Sequence, residues 1–338
     1  MSRAGDPGGR GRERPDDAEL KAILREQGFD DPEAWMETAR ARSYRRVPAT
    51  RLERCPHCGA EERGILAEYV YYSNRAHLVE CPSCGLWYST LRLNADTVRR
   101  HFERAYKDEA YFEGRRRPIL RELAAIVAEA APEGGRVLDV GGAKGHLLAQ
   151  LAELRPDLRL TLSDMSETAC AHARSAFGLE AVEGGIGELA ELDRRFDALV
   201  LGDVIYYEPD LAALWRLLDR VLAPGGLVVI RVPNKARWIR LRLVRHRSRT
   251  GIPVFNPEHL YVFTARFLVR ELRRRGFRGV EARASRLLGE GWWVEAAFRA
   301  LRAAGRLVPG APLTPSMVVV GTKQGEEDPP PRPGAQGA

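Results

Sequence analysis

"VLDVGGAKGHLL", residues 137–148, decides how this chain is read. A short apolar run ends on Asp139, glycines follow at 141, 142 and 145, and an apolar helical pattern starts at His146. Glycine adopts the left-handed backbone of a tight turn and lets the main chain approach a ligand closely. Free N–H groups at the start of the next helix then face the bound group. The stretch predicts a strand, a glycine turn and a helix that hold a nucleotide-like ligand. Ala143 stands where one more glycine is expected, and its methyl group is tolerable if φ is negative there.

Outward from this turn, apolar runs alternate with helical patterns. Strands are expected at 136–140, 159–164, 181–185, 196–203 and 225–233, with "RGVEARA" (278–284) and "SMVVVGTK" (316–323) extending one edge. Continuous apolar strands separated by helices mean an α/β fold with a doubly wound, mostly parallel seven-stranded sheet. In that fold ligands gather at the carboxyl ends of the strands. Asp164, with Met165 beside it, ends the second strand and is placed to accept both ribose hydroxyls. A dinucleotide fingerprint requires Gly-x-Gly-x-x-Gly/Ala, but His146 occupies the last position. An S-adenosylmethionine loop of the form acid-x-Gly-x-Gly-x-Gly fits from Asp139 to Gly145 with Ala143 as the one substitution.

Two knuckles, Cys55-Pro-His-Cys58-Gly and Cys81-Pro-Ser-Cys84-Gly, precede this region. Thiolates at i and i+3 on a tight turn chelate one ion, and two such pairs close tetrahedrally on Zn²⁺. With four sulfurs no position is left for water, so the metal is expected to be structural. His57 is a spare ligand type expected to point outward. Tyr69, Tyr71 and Tyr72 lie between the knuckles, with core packing as their expected job.

Several stretches together resemble the class I S-adenosylmethionine-dependent methyltransferases that carry an amino-terminal cysteine-rich module. They are the glycine loop, "FDALVLGDVIYYEPDLAALWRLLDRVLAPGGLVVIRVPN", "NPEHLYVFTARFLVRELRRRGF", "YKDEAYFEG" and "CPHCG…CPSCGLWYS". The resemblance runs from about 50 to 323 and implies a Rossmann-like methyltransferase with a four-cysteine, zinc-ribbon-like module. It implies S-adenosylmethionine contacts from Asp139, Gly141, Gly142, Ala143, Gly145, Asp164, Met165, Gly185, Ile186, Asp203 and Val204. Departures are Ala143, Gly184-Gly185 where relatives often have Gly-Asp (Glu188 or backbone groups being the substitutes for the missing acid), and Ile205-Tyr206-Tyr207 in place of Leu-Glu-His. His259, in Pro-Glu-His-Leu, is the expected base or acceptor-orienting group, because an imidazole titrates nearest neutral pH. Tyr206 and Tyr207 are expected to line the transfer site.

The implied domains are a disordered start and helical segment (1–48), with helices from Asp17, the four-cysteine module (49–92) and a helical connector (93–132). A methyltransferase domain (133–323) with an insertion at 234–256 and a disordered tail (324–338) follow. Of 338 residues 44% are hydrophobic and 29% charged, as in ordinary globular proteins. No apolar run is long enough to span a membrane and the start lacks a secretory h-region, so a cytoplasmic protein is expected. The net charge of +7 is concentrated: seven Lys/Arg and no acid lie between Lys235 and Arg249. That stretch reads as an Arg-rich lid for a phosphorylated or carboxylated acceptor, as a peripheral membrane segment, or as an ordinary solvated helix. The leading expectation is methyl transfer to a small-molecule or sugar-type acceptor, in glycan or secondary-metabolite biosynthesis. An RNA methyltransferase docking through the ribbon and the Arg patch, and a scaffold with a decayed cofactor site, are the alternatives.

Overall fold

A computed structural model of the chain describes residues 48–71, 74–93, 111–245, 259–289, 291–306 and 312–325. The expected amino-terminal helices, most of the connector, Tyr72, Glu258 and the tail from 326 lie outside the described residues. The chain forms two compact units, residues 1–47 with 70–74 and residues 48–69 with 75–338. The second holds the large sheet and both the glycine and the cysteine clusters.

Among the described residues five strands come first: β1 (Ala49–Arg51), β2 (Gly64–Tyr71), β3 (Asn74–Glu80), β4 (Trp87–Ser89) and β5 (Leu91–Leu93). A π-helical turn at Tyr111–Arg115 leads into α1 (Arg117–Ala130), whose Pro118 occupies the first turn, where a missing N–H costs nothing. The alternating region follows. It runs β6 (Arg136–Val140), α2 (His146–Leu154), β7 (Arg159–Asp164), α3 (Glu167–Phe177), β8 (Glu180–Glu183), a single turn α4 (Ile186–Leu189) and β9 (Phe196–Gly202). After it come α5 (Leu211–Arg220), β10 (Leu222–Pro233), α6 (Ala236–Arg245), β11 (Tyr261–Val262), α7 (Ala265–Arg274), β12 (Phe277–Ala284), α8 (Trp292–Arg306) and β13 (Ser316–Lys323). Side chains start the helices as their residue types dictate. Ser166 accepts from Ala169 N, Asp210 from Ala212 N and Thr264 from Phe267 N.

The seven-stranded sheet has the order β12-β13-β10-β9-β6-β7-β8. Neighbours from β10 through β8 pair in parallel, and β13 is antiparallel to both β10 and β12. The order reverses at β6, so the glycine turn leaves the sheet at its switch point, where a crevice opens. Both faces are covered, and period-2 alternation sorts the side chains between them. Leu199, Leu201, Val228, Ile230 and Val319 enter one core with α5 and α7. Val200, Val229, Val318 and Val320 enter the other with α1 and α2.

The cysteine region packs on the first of these faces. Cys55, Val79, Cys81, Cys84, Leu86 and Tyr88 belong to the same core as Trp215 and Phe267. Its four-stranded sheet, ordered β11-β4-β3-β2, takes one strand from far along the chain. Tyr261 and Val262 of β11 pair antiparallel with Tyr88 and Trp87. So few residues cannot enclose a core of their own, and borrowing a face is the physical remedy.

Candidate functional site

The glycine turn is built as its sequence demands, with one exception. Gly141 (φ 68) and Gly145 (φ 91) are left-handed, and Ala143 is too, at φ 50. The condition of a negative φ at Ala143 therefore fails. Its backbone carries a cost of roughly 1–2 kcal/mol that glycine would not. Asp164 offsets that cost by accepting from Ala143 N at 3.0 Å and from Ser166 N at 3.0 Å, one bond to each carboxylate oxygen. Gly141 N and Gly142 N both donate to Ser163 O, at 2.8 and 3.1 Å. The loop is thus stitched to the end of β7.

Close packing explains the glycines. A Cβ on Gly142 would lie 2.5 Å from Asp139 Oδ2 and 2.6 Å from Leu162 Cδ1, and one on Gly141 would lie 2.6 Å from Val204 Cγ2. Asp139 is 3% exposed. Burial pushes its carboxyl up to about 7; Arg116 opposes the rise and Asp164 adds to it. On the far side of the crevice Gly184 N donates to Asp164 O, and Gly185 N donates to Glu188 Oε2 at 3.0 Å. Met165, 42% exposed, faces Gly185: a Cβ there would meet the Met165 sulfur at 3.6 Å. Ile186 is buried in the first core.

Asp203 also has positive φ, at 63. Its carboxylate accepts from Arg116 Nη2 at 2.9 Å and from Arg231 Nη1. Burial pushes the Asp203 carboxyl up, but Arg231 and Arg116 outweigh burial and hold it below the ordinary range. Arg231 Nε donates to Ser285 Oγ at 2.9 Å, and Ser285 Oγ donates to Glu122 Oε2 at 2.7 Å. One buried chain of bonds therefore fixes the ends of β9, β10 and β12 against α1. A chain of this kind stands only while every member is satisfied.

Beyond β9, a 3₁₀ turn at Ile205–Tyr207 brings two tyrosines against His259. The Tyr206 and His259 rings lie 4.1 Å apart between centroids, and Tyr207 Oη is 3.5 Å from His259 Nε2. Burial holds the Tyr206 phenol well above its ordinary pKa, so it stays protonated. His259, Tyr206, Val232, Lys235, Tyr261 and Phe263 line a small, mainly apolar cleft. The main chain ties this cleft to the cysteine region: Leu260 N donates to Tyr206 O and Ser89 N to Leu260 O, each at 2.8 Å. Arg92 Nη2 donates to Tyr261 Oη at 3.1 Å.

Cys55, Cys58, Cys81 and Cys84 place all four sulfurs within 4.8 Å of one another. The Cys55–Cys84 and Cys58–Cys81 pairs are each 3.6 Å apart. A tetrahedral Zn²⁺ with bonds near 2.3 Å needs sulfurs about 3.8 Å apart, so the residues fit that ion. Both knuckles turn alike: Gly59 N donates to Cys55 O, Gly85 N to Cys81 O, and both glycines have φ near 70, at 73 and 71. The hydrogen bond from Cys84 is the main cause that lowers the Cys55 thiol to about 5.

His57 does not point outward. Its ring packs edge-on against Phe267 at 5.0 Å and Trp215 at 6.0 Å, and its Nε2 lies 3.2 Å from Glu271 Oε2. Burial is the first cause that lowers its pKa, against the pull of Glu271. His57 is a dowel between the first knuckle and α5 and α7, and Arg270 Nη2 adds a bond to Cys84 O at 2.6 Å.

The structure thus gathers Asp139, Gly141, Gly142, Ala143, Gly145, Asp164, Met165, Gly185, Asp203 and Val204 along one sheet edge, with His259 and both tyrosines beside them. Sequence reading overlooked Arg116, Arg231 and Glu208. Arg231 left a signal, a charge inside the apolar run "LVVIRVP". Glu208, one residue past the tyrosines, has its carboxyl pushed up to about 7 by burial.

The chain is similar to known proteins over part of its length. Residues 111–282, half of the chain, match the family model described as a methyltransferase domain. The trans-aconitate 2-methyltransferase of Variovorax paradoxus is 31% identical over 143 residues, 42% of this chain, and the match spans 52% of that protein. The malonyl-[acyl-carrier protein] O-methyltransferase of Geobacter sulfurreducens is 29% identical over 191 residues, 54% of this chain and 71% of that protein. Among solved structures, an S-adenosylmethionine-dependent methyltransferase from Archaeoglobus fulgidus superposes with a TM-score of 0.45 at 18% identity, covering 64% of this chain and 97% of that one.

Proposed function

This chain belongs to the methyltransferase-domain family, and from that premise we propose that it moves a methyl group from S-adenosylmethionine to a small, anionic or sugar-type acceptor. The observation that carries the proposal is the juxtaposition along one sheet edge. The glycine turn stitched to Asp164 lies beside an apolar cleft holding His259, Tyr206 and Lys235. Relatives named for trans-aconitate and malonyl-carrier substrates support an anionic acceptor.

When bound, the cofactor supplies an electrophilic sulfonium methyl; the chain supplies alignment and exclusion of water. Asp164, whose carboxylate accepts from Ala143 N and Ser166 N at the end of β7, receives the ribose hydroxyls. Met165 and Gly185 border the slot for the base. Asp203, fixed by Arg116 and Arg231, presents the end of β9 to the cofactor's aminocarboxypropyl group. His259 takes up the proton of the acceptor hydroxyl or amine, with Tyr207 Oη orienting the ring. The protonated Tyr206 donates to the acceptor.

The four-cysteine cluster holds a structural zinc. Through β4 and the bonds at Leu260 it fixes the segment that carries His259, so the metal shapes the acceptor side without touching the chemistry.

A labelled-methyl transfer assay across carboxylate, phosphate and sugar acceptors tests this reading, with His259→Ala and His259→Gln alongside. Loss of a proton acceptor lowers turnover by roughly 10²–10⁴-fold with cofactor affinity intact. Unchanged turnover in both variants removes His259 from the mechanism. RNA docking predicts binding that falls steeply with salt; a flat titration excludes it.

A further inference from the structure

We propose that α8 is an interfacial helix that seats the protein on an anionic lipid bilayer. Its first two residues, Trp292 and Trp293, are 84% and 64% exposed, while Val294 and Phe298 are buried against the domain. The helix is therefore anchored by one face and leaves two indoles in solvent. Leaving large aromatic surface exposed is costly in water. Tryptophan is the side chain best suited to a membrane–water boundary, where its ring is buried and its N–H stays wet.

Charge selects the kind of surface. From Trp292 to Arg306 the sequence carries three arginines and one acid. That acid, Glu295, is tied up by Arg286 and by Arg299 at 2.9 Å. Arg302 stands exposed a few turns from the indoles, and alanines occupy Ala296, Ala300, Ala303 and Ala304 of the outward side. An outward face of Trp, Ala and Arg suits the headgroup layer of anionic lipid better than an apolar protein groove or an acidic protein surface.

The topology adds a second element on the same edge. β12 and β10 flank β13 and run parallel to each other. Their carboxyl ends, from which the 285–292 segment and α6 depart, therefore lie about 10 Å apart, two strand spacings. On α6, Trp238 is 47% and Leu241 42% exposed, within the acid-free stretch from Lys235 to Arg249. No helix among the described residues is long and apolar enough to cross a membrane. The contact is one of lying on the bilayer. It would bring the carboxyl edge of the sheet, with its acceptor cleft, toward the lipid.

The test is flotation of the full chain with vesicles of phosphatidylcholine alone and of phosphatidylcholine with phosphatidylglycerol, in the absence of cofactor. Binding to the anionic vesicles, with a blue-shifted tryptophan emission, is expected. Trp292→Ser with Trp293→Ser lowers partitioning by about tenfold or more, and Arg302→Gln lowers it about fivefold, the worth of one basic residue near a charged surface. Both variants retain the wild-type circular dichroism and melting temperature, because the substituted side chains are exposed. Equal binding to neutral vesicles, no binding to either, or unaltered binding by the tryptophan variant overturns the proposal. So does loss of the exposed indoles into a dimer at micromolar protein, seen by sedimentation. None of these readouts depends on methyl transfer.

Discussion

Replacing Asp139 by Asn tests the electrostatics of the glycine turn. The carboxyl is buried beneath Gly142, and burial pushes it up to about 7. A carboxyl with a raised folded pKa binds its proton more tightly in the native than in the unfolded chain. Stability from this group is then full below the ordinary carboxyl range near 4 and declines as pH rises toward about 7. Relative to a group that never ionises, and at 1.36 kcal/mol per pKa unit, Asp139 lowers stability by about 4 kcal/mol at pH 8, where the buried carboxyl must ionise, and by roughly 1.5 kcal/mol at pH 5, where only the unfolded chain's carboxyl ionises. Asn has the same shape and never ionises. Urea unfolding at both pH values is expected to show Asp139→Asn more stable than the natural chain, with the gap narrowing by about 2–3 kcal/mol on going from pH 8 to pH 5. A gap that stays constant, or widens as the solution is acidified, refutes the reasoning. Either result would mean that Asp139 is ionised at little cost, by water or a partner reaching it.

Three further outcomes follow from packing and charge. Arg231→Met leaves Asp203 buried with Arg116 alone, and should cost about 3 kcal/mol in denaturant unfolding at pH 7; a loss under about 0.5 kcal/mol contradicts the network. Purified protein should carry zinc in stoichiometric amount by elemental analysis. Cys81→Ser should abolish it and, through linkage of metal binding to folding, lower the melting temperature by roughly 10 °C. Gly142→Ala should destabilise by about 2 kcal/mol because its Cβ meets Asp139 and Leu162, whereas Ala143→Gly should be neutral or stabilising by up to about 1 kcal/mol.

Sequence periodicity located the strands of the large sheet closely. "RVLDV", "RLTLSD" and "SMVVVGTK" coincide with β6, β7 and β13. These strands are buried on both faces, so their apolar runs are continuous and bounded by turn residues. The loop and the knuckles were legible for a related reason: local backbone geometry forces Gly and Cys into fixed spacings. What a spacing cannot carry is direction in space. His57 reads as a spare ligand on a knuckle, and only the packing of Trp215 and Phe267 turns it inward. The left-handed φ of Ala143 is set by the bond to Asp164, a contact across 21 residues. The buried Arg116–Asp203–Arg231 chain joins groups up to 115 residues apart, and no local pattern encodes it.

The central claim is that the turn after Asp139, closed by Asp164, holds a sulfonium nucleoside. Calorimetric titration of S-adenosylhomocysteine into the natural chain and into Asp164→Ala is the most direct measurement. Binding in the micromolar range by the natural chain is expected, weakened at least about tenfold by loss of hydrogen bonds to a charged carboxylate. No binding heat from the folded natural chain, or equal affinity in the two proteins, would contradict it.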